Sequence, residues 1–459
     1  MNKILRGTIV TLVVAVCIAL SYMLITFPPV MAGMAAKTMC SCVFVSGRTP
    51  QSVKDKELQV FPGLASLDIE ILPDSSVTTS LLWHTSKAIF RKGLGCTLLA
   101  ERSEAAVRNQ RINLPLPPVP NLTARWPSGN VVTTVHPPGV DVQRVEKAVA
   151  SAFQEIDPDN PVFTHAVVVV YDGNIIAERY AAGFDSNSRL MGWSMTKSIS
   201  NALIGILVKE KKLGVEDPAP VGEWRNDVRK DITINHLLQA SSGLSWSESY
   251  FIPTSDFHEM FIHSDDKAAF AASRTLEHPP GTFFEYSSGT TNLLSRIIRQ
   301  TTGDSVYYKF PYEKLFYKLG MHTAVLEPDA SGTFVLSSYC FASARDWARF
   351  GMLYLNDGLW NGERILPEGW VQYSTTPAPA ATHGQYGAQI WLNRGSPGDS
   401  LATEFPGLPN ETILFEGFER NFVAIIPSKK LVVVRLGVTH NNNLSMANLV
   451  NEIIQSLPK

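Results

Sequence analysis

The chain is poor in the residues that many hydrolytic and binding chemistries need. Its 459 residues hold only 10 histidines and five cysteines. No two histidines stand four apart, so the His-x-x-x-His pair that grips a catalytic metal from one helix face is missing. No Gly-x-Ser-x-Gly follows a strand-like run, which removes the nucleophile turn of the α/β-hydrolases. The close pair Cys40-Ser41-Cys42 has neither a second pair nor a neighbouring histidine, which argues against zinc. The formal net charge is -2, so nothing points to nucleic acid as a partner. Internal repeats and low-complexity tracts are absent. The expectation is chemistry without a metal or other cofactor.

Charge is also missing from one particular stretch. Lys3 and Arg6 precede residues 8–26, which carry no charged side chain. That length is about what crosses a bilayer, and it exceeds the apolar core of a secretory signal. The run predicts a signal anchor with a cytoplasmic N-terminus and the remainder exported to the periplasmic or extracellular face. Small residues at Ala32, Gly33, Ala35 and Ala36 leave secretion after signal cleavage as the alternative. Export would put Cys40, Cys42 and Cys96 in an oxidising compartment, where Cys96 can pair with either Cys40 or Cys42. Cys340 reads as a small core residue.

The pattern divides the chain into an anchor over 1–36, a small β-rich region over 37–126 and a second domain over 127–459. Strand-like pieces at 67–72 and 80–83 mark the middle part, which ends in a proline-rich linker at 114–120. In the second domain a helix over 142–156 precedes two β-branched runs, 166–171 and 174–180. Asp172-Gly173 between them is a hairpin signal. Helices dominate 194–375, strands return at 387–392, 422–426 and 431–436, and a helix over 445–457 follows. Strands at both ends of a helical stretch predict an α/β (α+β) domain: an antiparallel sheet flanked by helices, with an all-helical insert.

Chemistry enters at Ser194-Met195-Thr196-Lys197, which lies between Gly192-Trp193 and an apolar helical run. A serine and a lysine three residues apart at a helix start share one face. The amine can then take the proton that a free serine hydroxyl keeps at neutral pH. The spacing alone is a chance-level pattern in a chain this long, and Ser264-Asp265-Asp266-Lys267 repeats it. There the aspartates suit the first turn of a solvated helix capped by Ser264.

Two later segments set the first copy apart. Tyr286 stands in a loop before a helix, where a phenol beside a cation can carry protons; the competing reading is a core tyrosine bonded to backbone. Gly417-Phe418 can offer a strand-edge N–H that, with the N–H of Ser194, would form an oxyanion hole; the competing reading is a bulge glycine.

These residues join Ile232-Thr233-Ile234-Asn235-His236-Leu237-Leu238, Ser242-Gly243-Leu244, Pro280-Gly281 and the stretch 343–351. In that order they resemble the penicillin-recognising serine hydrolases over roughly 127–459. This superfamily holds class C β-lactamases, D-alanyl-D-alanine carboxypeptidases, class C-like esterases and 6-aminohexanoate-dimer hydrolases. The resemblance implies a β-lactamase/transpeptidase-like fold, Ser194 as the acylated nucleophile and Lys197 as its base. It implies Tyr286, partly ionised by Lys197, as the second proton-transfer group. It implies the N–H groups of Ser194 and Phe418 as the oxyanion hole, and His236 as a packed helix residue.

Two departures bear on substrate. Ser288 stands where the β-lactamases and carboxypeptidases carry asparagine two residues after the tyrosine. Glu416-Gly417-Phe418 stands where they carry Lys- or His-Thr-Gly, so the cation that meets a substrate carboxylate is missing. The resemblance is therefore nearest the 6-aminohexanoate-dimer hydrolase and class C-like esterase branch. It implies a small amide or ester as substrate, with Trp193, Ser288, Trp391, Glu416 and Gly417 as candidate substrate-binding residues. Trp246 and Tyr386 are further candidate pocket walls. The alternatives are a β-lactamase or D-Ala-D-Ala carboxypeptidase, and a catalytically silent membrane-anchored binding protein.

Overall fold

The structure, a computed structural model, describes residues 3–119, 123–133, 136–395, 403–439 and 444–458. It opens with one long helix, Lys3–Phe44. Residues 8–25 of that helix are exposed wherever their side chains are described, whereas those from Pro28 onward are mostly buried. The change falls at Pro28-Pro29 inside the helix. An apolar surface around the whole circumference is what a lipid-facing helix presents, and this helix is long and apolar enough to cross a membrane. The helix runs on through residue 36, the expected end of the anchor, to Phe44.

Its second half is the core of the region that follows. Strands β1 (Asp68–Leu72), β2 (Ser76–Leu81), β3 (His84–Arg91) and β4 (Gly95–Leu99) form an antiparallel meander in sequence order. The stretch 80–83, expected to be strand, instead contains a two-residue turn. Leu81 pairs with His84, and Leu82 takes a φ of 53°, a tight hairpin geometry that overrides its β-prone side chains. Met31, Ala35, Ala36 and Met39 pack with Val77, Ala88 and Leu98 of the sheet. The same cluster includes Met260, Phe261, Ile262 and Val335 from the second domain. Each fully buried methionine contributes roughly 1.5–3 kcal/mol.

One disulfide and two polar ties lock this packing. Cys40 and Cys96 form a disulfide, which settles the pairing and leaves Cys42 free and buried. Lys37 pairs with the buried Glu327, which also accepts from Ser41 Oγ at 2.9 Å and from the Cys96 N–H at 2.6 Å. Asp265 accepts from the backbone N–H groups of Ala100, Glu101 and Arg102.

In the second domain β5 (Thr164–Tyr171) and β6 (Asn174–Tyr180) form the expected hairpin. Asp172 and Gly173 both take positive φ, 44° and 78°, the twist that matches paired strands. A small sheet of β7 (Leu190–Met191), β8 (Val325–Leu326) and β9 (Cys340–Ala342) underlies the helical insert, with Cys340 in its core. A short hairpin, β10 (Leu359–Trp360) and β11 (Glu363–Arg364), lies at the far end of that insert. The large sheet then gains β12 (Trp391–Leu392), β13 (Ile413–Gly417), β14 (Asn421–Ile426) and β15 (Leu431–Gly437).

The order of the large sheet is β12-β13-β14-β15-β5-β6, antiparallel throughout. Val168 and Val170 of β5 face one core, and Val167 and Val169 the other. Both faces are therefore covered by helices, which explains the unbroken apolar runs. Only the last two residues of the expected 387–392 strand are strand. Ala388 and Gln389 instead donate their N–H groups to the carbonyls of Ser374 and Leu238.

Candidate active site

Ser194 sits in a single turn, Trp193–Met195, that leads into the helix Thr196–Lys209. Trp193 takes a φ of 49°, a conformation that costs energy for a bulky residue and is met mostly at functional turns. The turn is held from below. Gly192 donates to the Cys340 carbonyl at 2.9 Å, and Thr196 Oγ1 donates to the Trp193 carbonyl at 2.7 Å.

One turn along, Lys197 is buried. Its Nζ lies 3.0 Å from Ser194 Oγ, 3.2 Å from Ser288 Oγ and 3.1 Å from the Ser337 carbonyl. Burial pulls its pKa down to about 8, against the opposing pull of Glu248. About a tenth of the amine is then neutral at pH 7, enough for it to accept a proton.

Tyr286 approaches from the opposite side. Lys197 Nζ lies 4.7 Å from its ring centroid, and Ser194 stands close enough to its phenol to favour the phenolate slightly. Trp391 and Tyr386 hold the ring, with centroids at 5.2 and 5.9 Å. The expected partial ionisation by Lys197 is corrected here. Burial, and then the charges of Glu248 and Glu416, push the phenol well above its ordinary value. Tyr286 is therefore a neutral phenol.

A group unforeseen from the sequence completes this network. Glu248 accepts from Ser288 Oγ at 2.5 Å, from the Ser288 N–H at 2.9 Å and from Trp246 Nε1 at 2.5 Å. Ser288 thus links an acidic side chain to the lysine. Nothing in Trp246-Ser247-Glu248-Ser249-Tyr250 signals this, because a lone acid in a loop has no periodicity to read.

The strand β13 comes in at the third side. A Cβ on Gly417 would stand 2.2 Å from the Gly192 carbonyl, so only glycine lets this strand lie against the Ser194 turn. Phe418 follows at the strand end, its ring 5.6 Å from that of Trp193. The two candidate oxyanion donors thus belong to adjoining segments. Glu416 lies beside them, 3.6 Å from Arg420, and burial raises its pKa to about 7.

Of the candidate substrate-binding residues, Trp193 lines a cavity with Ser194. Ser288 is instead buried between Lys197 and Glu248, and Trp391 braces Tyr286. A small cavity is walled by Met34, Phe61, Trp193, Tyr250, Phe257, Ser338 and Phe418 around Ser194. Met34 and Phe61 come from the N-terminal part, outside the stretch that resembles the serine hydrolases.

The second Ser-x-x-Lys copy differs in kind. Lys267 Nζ donates to the carbonyls of Phe261 and Ser264, not to the Ser264 hydroxyl. The expected solvated helix capped by Ser264 is corrected too: Asp266 caps it, and Lys267 and Asp265 are buried. His236 closes a capping box with Thr233. Among the described residues no group of His, Cys, Asp and Glu is arranged to hold a metal.

The family described as Beta-lactamase matches residues 149–448. A 6-aminohexanoate-dimer hydrolase of Paenarthrobacter ureafaciens is 26% identical over 229 residues, 46% of this chain and 56% of that one. The match therefore spans little more than half the length of that relative. A Bacillus anthracis structure assigned to the 6-aminohexanoate-dimer hydrolases superposes with a TM-score of 0.57 at 21% identity, over 75% of this chain and 91% of that one. A family VIII carboxylesterase gives 0.55 at 15% identity, over 71% and 100%. At such identities the structural likeness speaks for the fold alone.

Proposed function

The chain belongs to the β-lactamase family, and from that premise we propose that it is a serine hydrolase cleaving an amide or ester through a Ser-Lys-Tyr acyl-enzyme mechanism. The observation that carries this reading is the Ser194 hydroxyl held 3.0 Å from a buried lysine whose pKa is about 8.

Neutral Lys197 takes the Ser194 proton as Oγ bonds to the substrate carbonyl carbon. The resulting oxyanion is met by the N–H groups of Ser194 and Phe418. Collapse breaks the C–N or C–O bond, and the neutral Tyr286 phenol gives its proton to the leaving group. Lys197 then returns a proton to Tyr286. Water attacks the acyl-enzyme by the same route in reverse, Ser194 recovers its proton, and a carboxylic acid leaves. No step calls for a metal.

The absence of a cation on β13, with Glu416 and Glu248 close by, supports a neutral amide or ester over an anionic β-lactam or D-Ala terminus. The relative named a 6-aminohexanoate-dimer hydrolase supports the same side. The connected set of Ser194, Lys197, Tyr286, Ser288 and Glu248 argues against a silent binding protein, which would have no use for it.

We also read the exposed part of the first helix as a membrane anchor, with the catalytic domain exported. The Cys40–Cys96 disulfide suits an oxidising compartment. Cleavage near Ala36 would strip Met31 and Ala35 from the core they share with the sheet, so the uncleaved anchor is favoured over a secreted form.

The test is labelling with a fluorophosphonate probe together with turnover of p-nitrophenyl esters and anilides. Wild type should label and turn over, and Ser194→Ala should do neither. Persistent labelling of Ser194→Ala would sink the assignment.

A further inference from the structure

The cavity beside Ser194 is apolar, and it is built partly by the helix that leaves the molecule. Residues 8–25 of that helix, exposed and apolar, span about 27 Å, close to the thickness of a bilayer core. The upper end of this span meets two exposed apolar loops. Tyr22 Oη and Thr254 Oγ1 are 2.8 Å apart, and the loop ending at Thr254 leaves Phe251 79% and Ile252 51% exposed. Trp83 Nε1 donates to the Leu24 carbonyl at 2.9 Å, and Leu82 and Trp83 are 70% and 62% exposed. A tryptophan with its ring exposed and its N–H satisfied suits a membrane–water boundary. Four large apolar side chains thus stand exposed in loops bonded to the end of the span.

From that level an aromatic path runs to the nucleophile. Phe251 meets Phe61 edge-on at 6.0 Å, Phe61 stacks on Phe418 at 6.5 Å, and Phe418 meets Trp193 at 5.6 Å. Met34, nine residues beyond Ile25 and about 14 Å further along the same helix, closes the cavity wall. Of the cations near the nucleophile, Lys197 is taken up by Ser194, Ser288 and the Ser337 carbonyl and Arg420 by Glu416, so neither is left to meet an anionic head.

We propose that the site draws its substrate from the bilayer: an uncharged ester or amide bearing a long apolar chain, which passes from the lipid along Phe251 and Phe61 and lodges in the cavity walled by Met34. Leu82, Trp83, Phe251 and Ile252 seat the catalytic domain in the membrane interface beside its own anchor. This inference rests on the hydrolase reading of the same site and names its substrate class.

The full chain in phosphatidylcholine vesicles is assayed with p-nitrophenyl acetate and p-nitrophenyl dodecanoate. The expected kcat/KM is at least ten-fold higher for dodecanoate, and Met34→Trp, which fills the cavity, removes that preference. The double variant Leu82→Asp/Ile252→Asp, at two exposed seating residues off the substrate path, should slow dodecanoate about ten-fold and leave acetate unchanged. Equal rates on the two esters overturn the inference while leaving the hydrolase reading intact; no turnover of any ester or anilide overturns both. Quenching by brominated phosphatidylcholine gives a readout independent of catalysis. A quenched component of tryptophan fluorescence that disappears in Trp83→Phe is expected, and its absence in wild type overturns the seating.

Discussion

Replacing Glu248 by glutamine tests the electrostatics of the site directly. Glu248 touches neither Ser194 nor a substrate position; it acts through Ser288 on Lys197. Bonds of 3.2 and 2.5 Å in series hold Lys197 Nζ within about 6 Å of the carboxylate. A unit charge at that distance is worth about 0.7 kcal/mol in water and about 2.8 kcal/mol at an effective dielectric of 20. That range equals roughly half a unit to two units of pKa. The direction follows from the charge: an anion favours the ammonium, so removing it lowers the Lys197 pKa from about 8.

The glutamine fits the local bonding. Its carbonyl can accept from the Ser288 N–H and Trp246 Nε1, and its amide can donate to Ser288 Oγ. The acid limb of kcat/KM, which reports the free enzyme, should therefore move from near pH 8 toward pH 6–7.5. Activity at pH 6 should rise several-fold relative to the plateau. The assay is a pH profile of p-nitrophenyl ester turnover. A limb that stays in place, or moves to higher pH, refutes both the coupling and the assignment of Lys197 as base.

Other substitutions probe separate links. Gly417→Ala places a Cβ 2.2 Å from the Gly192 carbonyl, so β13 must withdraw; a fall in kcat of about 10²–10³-fold is expected, as when one oxyanion donor is lost, read by steady-state kinetics and slowed fluorophosphonate labelling. Reducing Cys40–Cys96, or replacing both by serine, opens a loop of 56 residues; chain entropy puts the cost near 4 kcal/mol, seen as a lower Tm of the full chain. Lys37→Ala leaves Glu327 buried without its cation and should cost about 3–5 kcal/mol, measured by denaturant midpoint; Lys37→Ala with Glu327→Gln should recover part of it. Nitrocefin turnover should be far slower than ester turnover, and a rate that matches it would contradict the role given to the missing cation on β13.

Local rules made part of this legible. The Asp172-Gly173 hairpin could be read because two positive-φ residues have few other uses. The contact of Ser194 with Lys197 could be read because three residues make almost one helical turn. The sheet built from both ends of the domain followed from apolar runs too short for helices. Where local rules compete, the reading failed: Leu82-Trp83 looked like strand but turns, and Ser264 looked like a cap but Asp266 is one. The ionisation of Tyr286 is not legible for another reason, since burial depends on every element around the phenol and not on its own loop.

The sequence by itself determined the family, the antiparallel sheet with its helical insert, and an apolar first helix, because each is encoded in contiguous or regularly spaced residues. Only the tertiary structure decided that Cys96 pairs with Cys40. The same holds for Glu248 standing behind Ser288, and for Met34 and Phe61, from the first 61 residues, walling the cavity at Ser194. Those facts join residues separated by 40 to more than 150 positions, and such contacts are set by how whole elements pack, which no local pattern records.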